Sequence, residues 1–202
     1  MHQFIGLVGT NSTNSTNRQL LQYMHNHFAD QATIELMEIK DLPMFNKPQD
    51  RKIPAKAQAM ADKIAKADGV IISTPEYDHS APAVLMNALE WLSFHIHPFV
   101  DKPVMIIGAS YGSLGTSRAQ AHLRQILDSP ELRARIMPSS EFLLGHSLQA
   151  FDDDGNLKDE QKAAKLSGLF DDFQTFVEIT KKLSNANATT YQEVRDLDWA
   201  NL

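Results

Sequence analysis

Three loops of the chain carry residue types that could do chemistry. The first, Gly9-Thr10-Asn11-Ser12-Thr13-Asn14-Ser15-Thr16-Asn17, crowds hydroxyls and amides between an apolar run and a helical pattern. Small donors beside the free N–H groups of a helix start make a cradle for an anion. It holds one glycine and no lysine, so it is neither a Walker loop nor a G-x-G-x-x-G turn. The second loop, Ser73 to Pro82, contains Pro75-Glu76-Tyr77-Asp78. Its two prolines fix the backbone, so main-chain donors and acceptors can be presented rigidly to a planar heterocycle, with Tyr77 as a packing ring. The third loop, Gly108 to Thr116, carries Ser110, Tyr111, Gly112 and Gly115, and its glycines allow a ligand close to the backbone.

That third loop also supports a rival reading. Gly108-Ala109-Ser110-Tyr111-Gly112 matches the G-x-S-x-G elbow, which would make Ser110 a nucleophile with Asp128 and His146 downstream as acid and base. Against a serine hydrolase, such a sheet usually has more strands, and the other two loops would have no purpose. Asp152-Asp153-Asp154-Gly155-Asn156 suggests calcium, but in EF-hand register Ala150 and Gln161 occupy the first and last ligand positions, so a polar turn is expected. The pairs His25/His27 and His95/His97 lack a third ligand nearby and read as surface histidines. No metal site is expected.

The elements that must position these loops alternate in kind. Short apolar runs at Phe4–Val8, Gly69–Ser73 and Val104–Ile107 suit strands buried on both faces. Thr33–Ile39 reads as a further strand, and Arg135–Met137 with Glu141–Leu144 offers a fifth. Helical patterns carry Leu20, Leu21, Met24 and Phe28, then span Ala55–Ala67, Val84–Phe94, Ser117–Leu127 and Asp159–Leu183. Alternating apolar strands and helices predict an α/β fold, a doubly wound five-stranded parallel sheet of flavodoxin size. Ligands then sit at the carboxyl ends of the strands, where the three loops lie. Residues 1–183 form this one domain, and residues 184–202 are a short polar C-terminal extension with Val194, Leu197 and Trp199 as possible anchors.

Composition narrows the class. A chain of 202 residues builds its core without staples, and the absence of cysteine removes disulfides, thiol nucleophiles and Cys-ligated metals. A net charge of −6 argues against nucleic-acid binding. No apolar run approaches a membrane span, so a soluble cytoplasmic protein is expected.

Taken together, the loops resemble the NAD(P)H-dependent FMN reductases of the flavodoxin-like fold, which include quinone, azo-dye and chromate reductases. The first family motif, G-S-x-R-x-x-S-x-N, is met by Gly9, Thr10, Ser15 and Asn17. The second, P-E-Y-N-x-S-x-P-G-x-L-K-N-A-x-D-W, is similar to Pro75 through Trp91. The third is met by Ser110, Gly112, Gly115, Arg118 and Gln120, followed by Leu123-Arg124. The resemblance covers about residues 3–183. Among the departures from it, Ser12 stands in place of Arg, Asp78 of Asn, and Met86 of Lys. Arg18 is the nearest substitute for the missing cation.

The resemblance implies FMN as cofactor, with NADPH or NADH as co-substrate. It implies hydride transfer from nicotinamide to flavin and then to a small acceptor such as a quinone, azo compound or free flavin. The phosphate would lie on Thr10, Ser12, Ser15, Thr16 and Asn17. The isoalloxazine would lie between Pro75, Glu76, Tyr77 and Asp78 and the loop carrying Ser110, Tyr111, Gly112 and Gly115. No protein side chain need act as a catalyst, because the cofactor carries the chemistry. A flavin-binding electron carrier without reductase activity is the remaining alternative on the same fold. The resemblance also implies a homodimer or tetramer. With Leu85, Leu89 and Leu92 facing the sheet, Trp91, Phe94 and Phe99 are left over as a shared surface.

Overall fold

The computed structural model describes residues 1–186, so Val194, Leu197 and Trp199 lie outside the described residues. Its strands are β1 (His2–Val8), β2 (Ala32–Glu38), β3 (Gly69–Ser73), β4 (Pro103–Ala109), β5 (Arg135–Ile136) and β6 (Phe142–Leu144). Between them run α1 (Thr16–His27), α2 (Ala55–Lys66), α3 (Ala83–Ser93) and α4 (Ser117–Leu127), and α5 (Glu160–Ala186) follows. All strand pairings are parallel, in the order β2-β1-β3-β4-β5. The chain therefore reverses direction across the sheet between β1 and β3, which places a ligand crevice above their carboxyl ends.

The alternation of side chains along each strand builds two cores. Phe4, Val8, Ile71, Met105 and Ile107 point to one face, against Leu20, Leu21 and Met24 of α1 and Phe170, Phe173 and Val177 of α5. Ile5, Leu7, Val70, Ile72, Val104 and Ile106 point to the other, against Ile64 of α2, Leu85, Leu89 and Leu92 of α3, and Leu123 of α4. Because both faces are covered, the central strands carry apolar residues continuously.

The fifth sheet position is filled by two short segments. β5 pairs with the start of β4 (Pro103↔Arg135), and β6 pairs with its end (Ile107↔Phe142). Between them Pro138 cannot donate to a ladder, and Ser139 turns at φ 56°. Arg124 of α4 closes the gap by donating to Met137 O (3.0 Å) and Ser140 O (2.8 Å).

Two expectations are corrected. Trp91 and Phe99 are only 3% and 0% exposed and cannot form a shared surface. The proline-rich segment after β2 straps over α3: Asn87 accepts from Phe45 N and donates to Pro43 O, and Trp91 Nε1 donates to the same carbonyl at 2.7 Å. Phe45 then packs edge-on against both Trp91 and Phe94. Phe94 stays half-buried, and Met44 projects outward between its anchored neighbours. His97 is buried rather than at the surface, with Nδ1 3.0 Å from Glu131 O. The Asp152 carboxylate accepts from the N–H groups of Asp154 and Asn156, forming the expected turn.

Candidate functional site

The ends of β1, β3 and β4 are drawn together by close backbone approach and one buried amide. Gly9 N donates to Ser73 O at 2.8 Å and Thr74 N to Ile107 O at 3.0 Å. Asn17, at the start of α1, reaches across: its Nδ2 donates to Ala109 O (2.8 Å), while Oδ1 accepts from Ala109 N and Ser73 Oγ (2.9 Å each). Above this staple opens a cleft of about 250 Å³. One wall is Ser12, Asn14, Ser15, Thr16 and Asn17; the other is Pro75–Tyr77 with Ala109–Gly112.

The polar wall is a helix start. Ser15 Oγ caps α1 by accepting from Arg18 N (3.3 Å), leaving the first N–H groups of the helix at the open end. Thr16 Oγ1 lies 2.8 Å from Ser147 Oγ, fixing α1 to the turn after β6. Among the described residues no Lys or Arg lines the cleft. Arg18 points away from it: its guanidinium grips Glu38 of β2 (2.5 and 2.9 Å) and donates to Ser12 O (2.7 Å) and Thr13 O (3.1 Å). Arg18 therefore clamps the loop from outside and does not replace the family cation at position 12.

Hydrogen bonding and charge from Arg18 hold the Glu38 carboxyl below its ordinary value of 4.5. A carboxyl lowered in the folded state stabilises above its unfolded value, and that contribution disappears as pH falls through the lowered one. Wild type should therefore melt above Glu38→Gln at pH 7, and the two melting temperatures should converge as the buffer is acidified below 4.5. A constant gap down to pH 3 would reject the clamp.

The opposite wall is held by α4. The Glu76 carboxylate, 9% exposed, accepts from the N–H groups of Arg118 (3.0 Å) and Ala119 (3.2 Å) and pairs with the Arg118 side chain (3.1 Å). Its side chain serves the helix start, so only its backbone can face a ligand. Tyr77 and Ser80 exchange both backbone hydrogen bonds around Asp78 and His79, whose φ values are 50° and 62°. Two left-handed residues in succession define a type I′ turn. Asp tolerates that conformation as Asn does, which explains the departure at position 78 without any cofactor contact.

Ten of the expected residues line the cleft, namely Ser12, Ser15, Thr16, Asn17, Pro75, Glu76, Tyr77, Ser110, Tyr111 and Gly112. Three do not. Thr10 is buried beneath the loop, accepting from Ser12 N and lying 3.4 Å from the Tyr77 hydroxyl. Asp78 sits in the turn. Gly115 is buried at φ +64°, where a Cβ would come within 2.8 Å of the Leu143 side chain. Asn14 and Ala109 line the cleft without having been singled out, though both adjoin quoted motif residues.

The hydrolase geometry is not present. Asp128 follows the far end of α4, an 11-residue helix about 16 Å long, whereas the near end of α4 meets the cleft. Gly108 has another reason to be glycine: a Cβ there would lie 2.4 Å from Thr74 O. Among the described residues no cluster of metal-ligating side chains occurs.

A crevice at the sheet's switch point, with a neutral hydroxyl-rich helix start facing a rigid backbone wall, defines a flavodoxin-like mononucleotide-binding protein. The family of NADPH-dependent FMN reductases matches over residues 3–149, and the chain belongs to it. It is 58% identical over 180 residues to the NADH:(hydroxy)cinnamate reductase subunit CrdA of Vibrio ruber, covering 89% of each chain. It is 42% identical to the NADH-dependent flavin reductase subunit 2 of Lactobacillus johnsonii, over 89% of this chain and 100% of that one. Among solved structures, the flavoenzyme NAD(P)H:(acceptor) oxidoreductase FerB of Paracoccus denitrificans matches with a TM-score of 0.80 at 27% identity, covering 89% and 99% of the two chains. The chain is thus an NAD(P)H-dependent flavin oxidoreductase that uses FMN, with a small-molecule acceptor, and these relatives are all named as reductases or oxidoreductases. The donor set fits FMN: hydroxyls and helix N–H groups for a phosphate, and backbone groups for a planar ring.

Proposed function

We propose that this chain binds FMN in the cleft and passes reducing equivalents from NADH to a planar acceptor such as a quinone or a free flavin. The observation that carries this reading is the hydroxyl-rich helix start facing the Pro75–Tyr77 and Ser110–Gly112 wall. Ser12, Ser15, Thr16 and the first N–H groups of α1 hold the phosphate. Thr10 and Asn17 fix that loop from below. Pro75, Glu76, Tyr77, Ser110 and Gly112 form the wall against the ring, with the Glu76 N–H open to it, while Asp78 and Gly115 shape their loops. When bound, FMN supplies the two-electron chemistry between donor and acceptor. Across the cycle NADH loses two electrons and one proton, and a quinone gains two electrons and two protons, the second from solvent. The chain itself orients the partners.

The preference for NADH rests on charge. The extra phosphate of NADPH is recognised best by Arg or Lys, and among the described residues the lining has neither, with Arg18 spent on Glu38. Both relatives at 58% and 42% identity are named for NADH. Anaerobic mixing of the yellow protein should show bleaching of the flavin band by NADH at least about tenfold more efficiently than by NADPH, the factor of one charge-assisted contact. Equal or reversed efficiencies would reject the preference. A protein that takes up no FMN, or takes it up and is not bleached by either nucleotide, would reject the function.

Two relatives are named as subunits, and this chain too is read as one component of a larger flavin-dependent reductase. For self-association, Phe94 with the projecting Met44 is the surface that remains after Trp91 and Phe99 are accounted for. Light scattering should give a homodimer or tetramer, and a mass near 22.6 kDa would reject it. Among the described residues no helix is long and apolar enough to cross a membrane, which supports a cytoplasmic location.

A further inference from the structure

Tyr111 is an aromatic residue without a structural reason to be where it is. Its neighbours are fixed: Ser110 N donates to Leu144 O (2.9 Å), Ser147 N donates to Ser110 O (3.0 Å), and His146 N donates to Gly112 O (3.0 Å). Gly112 N also donates to Ser110 Oγ at 3.2 Å, closing the turn under Tyr111. The backbone therefore presents the ring from a pinned base. Yet the residue is 58% exposed, and neither its ring nor its hydroxyl has a hydrogen bond or aromatic contact among the described residues. Exposing a large ring costs solvation, and here packing covers less than half of the residue.

The same wall carries Tyr77, 49% exposed, whose hydroxyl lies 3.4 Å from the buried Thr10 Oγ1. Both tyrosines line the cleft. The Tyr77 ring is tethered at its tip, and the Tyr111 ring only at its backbone. A ring with a free tip can settle onto a flat ligand by rotating its own side-chain torsions, with no backbone movement.

We propose that Tyr111 is a specificity-determining residue that covers planar aromatic acceptors in the cleft, and is not a cofactor ligand. The proposal rests on the FMN reductase reading. Stacking depends on the ring and not on the hydroxyl, so it acts on aromatic acceptors and is indifferent to a compact inorganic oxidant. Its contribution is selective binding of the oxidant, expressed in KM.

The test uses FMN-loaded wild type, Tyr111→Ala and Tyr111→Phe with NADH as donor, and either menadione or ferricyanide as acceptor. Tyr111→Ala should lower kcat/KM for menadione relative to ferricyanide by about three- to tenfold, the range of one stacked ring pair, through a raised KM. Tyr111→Phe should keep the wild-type ratio. An unchanged ratio in the alanine variant overturns the proposal. So does a loss shared by the phenylalanine variant, which would assign the effect to the hydroxyl. Loss of FMN in Tyr111→Ala, read from the visible to ultraviolet absorbance ratio, would make Tyr111 a cofactor ligand. A lowered mass by light scattering would make it an interface residue. Wild type that NADH does not bleach would instead fail the function reading itself, and this inference with it.

Discussion

Gly108→Ala should yield a protein that is destabilised by about 3 kcal/mol or more and retains little FMN, the upper range of overpacking in a closed core. A Cβ at this position would sit 2.0 Å from Thr116 Oγ1 and 2.4 Å from Thr74 O. Neither atom can step aside cheaply. Thr116 and Thr74 are both 0% exposed, and Thr116 Oγ1 already accepts from Gln120 Nε2 at 3.0 Å. Thr74 O is backbone, in a residue whose N–H is bound to Ile107 O. Relief requires β3 and β4 to part at the floor of the cleft. Urea unfolding monitored by circular dichroism, with flavin occupancy read in parallel, gives the answer. A variant as stable and as yellow as wild type would show that the approach at Gly108 is looser than described.

Asn17 should be nearly as sensitive, and its aspartate variant more informative than its alanine variant. Asn17→Ala leaves Ala109 N, Ala109 O and Ser73 Oγ without their partner in a site that is 2% exposed. Unsatisfied buried groups of this kind cost about 1–3 kcal/mol each, and partial rescue by water brings the total to about 3 kcal/mol. Asn17→Asp keeps an acceptor for Ala109 N and Ser73 Oγ but sets a carboxylate oxygen against Ala109 O. Only the protonated acid can donate there, and burial favours that form, so its pKa is raised in the folded state. A raised acid pKa makes the destabilisation fullest at neutral pH and relieves it as pH falls. Between pH 7 and 5 the melting temperature of Asn17→Asp should rise relative to wild type. A flat or falling difference would mean that the amide does not donate to Ala109 O.

The strands were legible because burial on both faces leaves a mark in one short window, as at Val70-Ile71-Ile72. The three loops were legible as loops for the same reason. What their side chains do was less so, because partners sit far along the chain. The Glu76 carboxylate finds the start of α4 some 42 residues later, and Asn17 finds Ala109 across 92. Both looked like cofactor contacts, yet their polar atoms are engaged in holding the walls. Arg18 looked free to compensate for Ser12, until the β1–β2 register placed Glu38 within reach. Trp91 exceeded what one helix face could bury because the covering strap, Pro43 to Phe45, has no periodicity to reveal it. The fifth strand was ambiguous between two segments, and each occupies half of the position.

That divided edge also affects how the protein behaves in a crowded solution. A sheet border invites other chains to add themselves when it offers a long, straight row of unpaired amides and carbonyls. Beyond β4 this border offers two residues, an interruption with a proline, and three residues more. Within the interruption, the carbonyls of Met137 and Ser140 already accept from Arg124. A foreign strand arriving there would find no template long enough to extend. Strand-by-strand growth into fibrils is thus discouraged along this border, and the cation of α4 has a protective duty that no catalytic assay would register.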